Sequence, residues 1–108
     1  MKILIDECLP KKLKREFPNH EVSTVQELGW SSKKNGELPG LMQDDFDVFV
    51  TIDGNMQYQH PLEDLPIGFL VLVAFNNKLE TLQPLMSQAR EALKTLESGQ
   101  VVKIGEQE

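Results

Sequence analysis

Two short apolar runs in this chain each end at an aspartate. Residues 3–5 lead directly into Asp6, and residues 48–52 lead directly into Asp53. An apolar run rich in β-branched and aromatic residues, followed by a polar residue, is typical of a buried parallel strand that reaches the edge of its sheet. In an open α/β sheet, ligands bind outside the carboxyl ends of the strands, where the strand order switches direction. If the two strands are neighbours, both carboxylates lie in that crevice.

The remaining apolar runs, together with an alternation of polar and apolar residues over 21–25, predict a five-stranded sheet with helices between the strands. The expected strands cover residues 2–5, 21–25, 47–52, 67–75 and 101–104. A first helix is expected to begin at Pro10 and to end before Pro18. A last helix is expected to begin with a capping box of Asn77 and Glu80. A further helix over residues 37–43 is interrupted by Pro39-Gly40, because proline breaks a helix interior.

The length of 108 residues suits one domain with one core. We therefore predict a single α/β domain over residues 1–108, with three layers and a mostly parallel five-stranded sheet flanked by helices. The strand order 2-1-3-4-5 places the first and third strands side by side, so Asp6 and Asp53 emerge at the switch point. Three acids precede the third strand and are expected in solvent at the opposite edge: Asp44, Asp45 and Asp47.

The charge balance limits how the chain could bind nucleic acid. The formal net charge is −6, so there is no long-range attraction to a polyanion, and RNA binding would need a local basic patch. Two such patches are candidates. They are Lys11, Lys12, Lys14 and Arg15 on the first helix, and Lys33 and Lys34 in a Ser-rich loop.

Apolar content and cysteine use indicate a cytoplasmic protein with no membrane contact. The longest apolar run, residues 67–75, is too short to span a bilayer. The charge of Asp6 interrupts the N-terminal apolar run, which is unlike the apolar core of a signal peptide. Cys8 is the single cysteine, and this fits a reducing compartment.

Carboxylates that converge at a sheet edge suit Mg²⁺ or Mn²⁺, which prefer oxygen ligands. Asp6 and Asp53 would supply two ligands, and Glu37, with Asn35 beside it, is the candidate for the third. A bound ion that neutralises charge developing on phosphorus indicates phosphodiester hydrolysis. The structural alternative is that Asp6 caps the first helix and Asp53 begins a turn.

Six segments, spread over nearly the whole chain, resemble a known family. They are residues 1–10, 20–22, 27–30, 34–38, 46–53, which end in Thr51-x-Asp53, and 65–67 with the strand that follows. Together they are similar to short bacterial PIN-like (PilT N-terminal-like) domain proteins, which are grouped with the toxin-type PIN nucleases. The resemblance implies a PIN-like fold, an acidic pocket for Mg²⁺ or Mn²⁺, and ribonuclease activity, often as the toxin of a toxin–antitoxin pair.

The resemblance also implies roles for individual residues. Asp6, Glu37 and Asp53 match the acidic positions, as catalytic residues and metal ligands, and Thr51 matches the hydroxyl of the Thr-x-Asp element. For an RNA substrate, the candidate binding residues are Lys33 and Lys34. An antitoxin protein and a second copy of the chain are further candidate partners.

The chain departs from the family pattern at two accessory positions. Asn35 and Asn55 stand where many PIN-like proteins carry acids. An asparagine carbonyl can ligate a metal but brings no negative charge, so metal affinity should fall. We therefore expect weakened catalysis, and a protein that is purified without bound metal.

Two other hypotheses stay open. Asp6-Glu7 and Asp53 also resemble the acids of a response-regulator receiver domain, in which the aspartate after the third strand accepts a phosphoryl group. Lys103 would then stand for the lysine of the fifth strand, although no proline follows it. The other hypothesis is a non-catalytic module that binds a partner and keeps the fold alone.

Overall fold

The fold is organised around one parallel sheet. The structure is a computed structural model that describes residues 1–30, 40, 44–52 and 66–105. The sheet consists of β1 (Lys2–Ile5), β2 (Glu21–Thr24), β3 (Val48–Thr51), β4 (Gly68–Leu72) and β5 (Val101–Ile104). The strand order is β2-β1-β3-β4-β5, and every neighbouring pair is parallel. The predicted α/β class and strand order are confirmed.

The interior strands are buried along their whole length. Every residue of β3 and of β4 is buried, because a parallel strand packed on both faces has no solvent side. β4 is shorter than the apolar run that predicted it. The run continues past Leu72, but Val73 is 40% exposed and Phe75 is 89% exposed. The side chains of Val73 and Phe75 therefore do not belong to the buried core, whereas Ala74 is partly buried against it.

The first predicted helix is present as a 3₁₀ helix, Lys11–Glu16. The apolar stripe that predicted it is buried as expected, since Leu9, Leu13 and Phe17 are each at most 3% exposed. The segment is bounded by Pro10 and by Pro18, and 3₁₀ geometry is common in such short pieces of chain.

The last helical region is divided into three parts. These are α1 (Leu79–Leu82), a 3₁₀ turn (Gln83–Leu85) and α2 (Met86–Leu93). Pro84 lies in the 3₁₀ turn and interrupts the helix there, because proline cannot donate the helical hydrogen bond. The predicted capping box is also wrong, since the N-cap is Lys78 and no side chain there bonds to the helix.

The core has two parts, one on each face of the sheet. The first face packs against the 3₁₀ helix and α2, and its buried residues include Ile5, Val50 and Leu70. The second face carries Leu4, Phe49, Phe69, Ile67 and Val25. The alternation of Leu4 with Ile5, and of Phe49 with Val50, is the period of two that a strand requires.

A single turn of helix follows β2 and fixes the carboxyl end of that strand. Thr24 Oγ1 accepts a hydrogen bond from the Glu27 amide at 3.1 Å, and Glu27 Oε1 accepts one from the Thr24 amide at 2.9 Å. This reciprocal pair is a capping box. The turn ends at Gly29 (φ +72°), where the Trp30 amide donates to the Val25 carbonyl and the Gly29 amide donates to the Gln26 carbonyl, as in a Schellman motif.

Two further expectations concern the helices. The helix predicted over residues 37–43 lies outside the described residues, except at Gly40, which is helical. Within the part of the chain that the structure describes, no helix has the length and apolar character needed to cross a membrane.

Candidate functional site

The candidate site lies where β1 and β3 end side by side. β1 pairs with β2 on one side and with β3 on the other, so the connections that leave these strands diverge at this point. Ile5 is paired with Val50, which places the next residues, Asp6 and Thr51, next to each other. This carboxyl edge of the first and third strands is the switch point at which open α/β sheets bind ligands.

Asp6 is fully buried and its carboxylate is held from several sides. Oδ2 accepts a hydrogen bond from Thr51 Oγ1 at 2.7 Å and a weaker one from Cys8 Sγ at 3.4 Å. Oδ1 accepts a hydrogen bond from the Glu7 amide at 2.8 Å. The hydroxyl–carboxylate distance is in the short range of charge-assisted hydrogen bonds. The carboxylate is therefore oriented by two residues of the turn after β1 and by Thr51 at the end of β3.

The backbone around Asp6 is also fixed. The Asp6 amide donates to the Val50 carbonyl at 2.9 Å, which extends the β1–β3 ladder by one residue, and the Leu9 amide donates to the Asp6 carbonyl at 3.1 Å. This second bond closes a turn over residues 6–9 before the 3₁₀ helix begins. A carboxylate on a closed turn at the end of a paired strand keeps one position, as a ligand-binding group requires.

Two amide side chains connect the same turn to neighbouring segments. Asn77 Nδ2 donates to the Cys8 carbonyl at 2.7 Å, and Gln26 Nε2 donates to the Glu7 carbonyl at 2.9 Å. Asn77 belongs to the segment after β4, and Gln26 to the turn after β2. The segments that leave three strands therefore meet around residues 6–9.

The described donors to the Asp6 carboxylate are neutral groups: an amide, a hydroxyl and a thiol. These hydrogen bonds orient the carboxylate. Burial of an ionised carboxylate is unfavourable unless hydrogen bonds, a cation or a metal compensates for it. A carboxylate in these surroundings is suited to a hard divalent cation, for which oxygen is the preferred ligand.

Of the predicted site residues, the structure brings Asp6 and Thr51 together. The other predicted site residues lie outside the described residues, and their places stay predictions: Glu37, Asp53, Asn35, Asn55, Lys33 and Lys34. Within the described ranges, no three His, Cys, Asp or Glu side chains are grouped so that they could hold a metal ion. A metal site at Asp6 would therefore need ligands from outside those ranges, as the sequence predicts for Asp53 and Glu37.

Two contributors to this site differ from the sequence prediction. The sequence predicts that Asn77 caps the last helix, but its amide reaches the turn at Cys8, and Asn76 Oδ1 accepts the Lys78 amide instead. Cys8 Sγ lies within hydrogen-bond distance of the Asp6 carboxylate and 3.9 Å from Thr51 Oγ1. No sequence pattern indicates either contact, because both depend on how the segments after β1 and β4 meet near the end of β3.

The acids before β3 lie at the opposite edge, as predicted. Asp44, Asp45 and Asp47 are at the surface, and Asp47 Oδ2 accepts a hydrogen bond from the Lys2 amide at 2.8 Å. An open groove of about 560 Å³ at this amino edge includes His20 among its lining residues. Its charged groups are solvated, so the groove does not have the buried polar network found at Asp6.

No family model, curated protein or solved structure matches this chain. The resemblance to PIN-like proteins therefore rests on the residues named in the sequence analysis.

Proposed function

We propose that this chain is a metal-dependent ribonuclease of the PIN-like type, with its active site at the carboxyl edge of β1 and β3. The observation that carries the proposal is the buried Asp6 carboxylate, oriented by the Thr51 hydroxyl at 2.7 Å at the switch point of the sheet. The resemblance to the family implies that the hydroxyl of Thr51, in the Thr-x-Asp element, lies near the acidic residues of the site. The same element puts Asp53 two residues after the hydroxyl that touches Asp6.

Asp6 would hold Mg²⁺ or Mn²⁺ together with Asp53 and Glu37. Oxygen ligands from two or three carboxylates fit these ions, which keep several waters in such sites. When bound, the ion would supply electrostatic stabilisation of the negative charge that develops on phosphorus. Thr51 is a positioning residue in this mechanism, since its hydroxyl fixes the direction of the Asp6 carboxylate.

The proposal includes the biological setting that the resemblance implies. A toxin of a toxin–antitoxin pair would bind RNA as substrate and an antitoxin protein as partner, and a second copy of the chain is a further candidate partner. The single cysteine supports a cytoplasmic location. Asn35 and Asn55, in place of acids, support a site with reduced metal affinity and weakened catalysis.

Cleavage of labelled single-stranded RNA tests the proposal. We expect weak cleavage that needs Mg²⁺ or Mn²⁺, that stops with chelator, and that is lost in Asp6→Asn and in Asp53→Asn. Asp47→Asn is the matched control, because it makes the same chemical change at an exposed aspartate of the opposite edge. Cleavage that persists unchanged in Asp6→Asn would contradict the proposal.

Two outcomes of further assays on the same protein would favour the alternatives. Incubation with acetyl phosphate and Mg²⁺ that leaves a stable phosphoryl group on Asp53 would support a receiver domain. A folded protein that neither cleaves RNA nor binds Mn²⁺ would support the non-catalytic module.

The two asparagines give a further test of the proposed site. Asn35→Asp combined with Asn55→Asp should tighten Mn²⁺ binding in isothermal titration, because added ligand charge strengthens the binding of hard cations. Equal affinity in the wild type and the double variant would mean that these side chains do not line the site.

A further inference from the structure

The proposed function leaves open how the substrate is held, and two features of the described surface bear on this. One is an aromatic ring exposed at the carboxyl edge, Phe75. The other is a set of cations on the 3₁₀ helix that begins next to the same edge. Neither feature is required by the fold, since the sheet ends before Phe75 and the buried face of the helix is provided by Leu13.

Phe75 is 89% exposed, although it follows the most apolar strand in the chain. A single exposed apolar side chain is common on protein surfaces and carries little information by itself. Its position is what matters. Phe75 lies two residues before Asn77, whose amide donates to the Cys8 carbonyl. The ring therefore belongs to a segment that contacts the turn holding Asp6.

The cations are concentrated on one short helix of an acidic chain. Lys11, Lys12, Lys14 and Arg15 line one open groove of about 400 Å³. Lys14 is paired with Glu27 at 2.9 Å. Lys11, Lys12 and Arg15 are exposed, and no acid in the described part of the chain forms an ion pair with them.

The 3₁₀ geometry arranges these cations in two rows. In a 3₁₀ helix, residues three apart lie one above the other, about 6 Å apart along the axis. Lys11 is thus above Lys14, and Lys12 is above Arg15. Lys11 and Lys12 are the members nearest to Asp6 along the chain.

We propose that Phe75, Lys11 and Lys12 act together to bind single-stranded RNA beside the Asp6 site, and this inference rests on the proposed function. Phe75 stacks on an unpaired base, and the two lysines contact phosphates. A protein that binds single strands needs a cationic track for the backbone together with aromatic faces for the bases. Base-paired RNA would not offer its base faces to Phe75, so the surface selects single strands.

The experiment measures RNA binding separately from cleavage. Fluorescence anisotropy of a labelled single-stranded RNA is recorded in chelator, so that binding requires neither metal nor catalysis. Phe75→Leu should weaken binding by about 5- to 100-fold, the range that stacking of one base provides. Phe75→Trp should bind as well as the wild type, because it keeps an aromatic face.

The two lysines are tested against a control with the same change in net charge. Lys11→Gln with Lys12→Gln should reduce the slope of log K against log salt by about 1.4, since each phosphate contact with a single strand contributes about 0.7. The matched control is Lys94→Gln with Lys103→Gln, two exposed lysines, one just after α2 and one on β5. This control should leave the slope unchanged.

The outcomes distinguish this inference from the proposed function. If the salt slopes of the two lysine pairs are equal, or if Phe75→Leu binds like Phe75→Trp, the proposed RNA surface is wrong even if Asp6-dependent cleavage is observed. If the Phe75 and lysine variants weaken RNA binding as expected, but neither the wild type nor any variant cleaves RNA, the nuclease proposal is wrong and the proposed RNA surface is retained. A Phe75→Leu variant that changes only the oligomeric state would identify a protein interface and overturn the inference.

Discussion

The two edges of the sheet each hold an aspartate that accepts a backbone hydrogen bond, but the two residues have different surroundings. Asp6, at the carboxyl edge, is fully buried and is also bonded by the side chains of Thr51 and Cys8. Asp47, at the amino edge, is exposed, and its described partner is the Lys2 amide. Asp47 joins the beginnings of two neighbouring strands, β1 and β3, through this hydrogen bond. This is a structural role.

The difference shows which acids need a functional explanation. A buried carboxylate is costly, and a neutral side chain could accept the same hydrogen bonds at a lower cost. An aspartate that hydrogen bonds orient at the switch point of the sheet therefore suits a site that binds a cation. An open groove of about 560 Å³ lies at the amino edge, whereas the buried polar network lies around Asp6 at the carboxyl edge. We take the buried chemistry as the guide to function.

The largest difference between the edges should appear in stability. Asp6→Ala should lower the free energy of unfolding by about 2 to 4 kcal/mol. The substitution removes the described acceptor of the Glu7 amide and of the Thr51 hydroxyl, and it opens a small cavity. Asp47→Ala should lower it by less than about 1 kcal/mol, since its partner can bond to water. Urea denaturation measures both. Equal losses of stability in Asp6→Ala and Asp47→Ala would contradict the difference that we describe between the surroundings of the two aspartates.

The next effect concerns the hydroxyl that orients Asp6. Thr51→Val should lower the free energy of unfolding by about 1 to 3 kcal/mol, because the side chain keeps its shape but the buried carboxylate loses a donor. Thr51→Ser is the matched control. It retains the hydroxyl and removes one methyl group, for about 0.8 kcal/mol. A Thr51→Val variant that is as stable as Thr51→Ser would show that the 2.7 Å hydrogen bond contributes little.

The smallest effect concerns Glu27, an acid at the same edge as Asp6 but with a structural role. The Lys14 ammonium, followed by the Thr24 amide, lowers the pKa of Glu27 below its ordinary value. A lowered pKa in the folded state gives stability that is present above the unfolded pKa and is lost as pH falls through the folded pKa. Because Glu27 is partly exposed, the contribution should be below about 1 kcal/mol.

Unfolding of the wild type and Glu27→Gln between pH 7 and pH 3 measures this contribution. The stability difference between the two proteins should be full at pH 7 and should shrink below about pH 4, where glutamate in the unfolded chain is protonated. Lys14→Met should also reduce the pH dependence, because it removes the largest cause of the lowered pKa. A difference that stays constant over the range would contradict the structural role of this carboxylate.

The sheet can be predicted because its strands are apolar runs of the right length. The runs at residues 2–5 and 101–104 match the observed bounds of β1 and β5. The apolar run after residue 67 is less informative, because it continues past the end of β4 into Phe75. The T-x-x-E pattern of the capping box at Thr24 is present in the sequence. The box predicted at Asn77 is not formed, and the Asn77 amide donates to the Cys8 carbonyl instead.

The site can be predicted only in part. The position of Asp6 at the end of β1 follows from the sequence, and the strand order places it beside the end of β3. The hydrogen bond to Thr51 depends on the register of β1 against β3. Both strands are buried on both faces, so no alternation of apolar and polar residues identifies that register. The approach of Cys8 and Asn77 depends on how the segments after three strands pack. Such contacts have no periodic pattern in the chain.

Isothermal titration of Mn²⁺ into the wild type, Asp6→Asn and Asp47→Asn tests most directly whether the carboxyl edge is a metal site. Asp6→Asn preserves the shape of the side chain, and the Thr51 hydroxyl can reverse and accept a hydrogen bond from the new amide, so this variant should stay folded. We expect Asp47→Asn to bind Mn²⁺ like the wild type, and Asp6→Asn to bind at least about tenfold more weakly, a loss of about 1.4 kcal/mol. Equal Mn²⁺ affinity in the three proteins would contradict a metal site at Asp6.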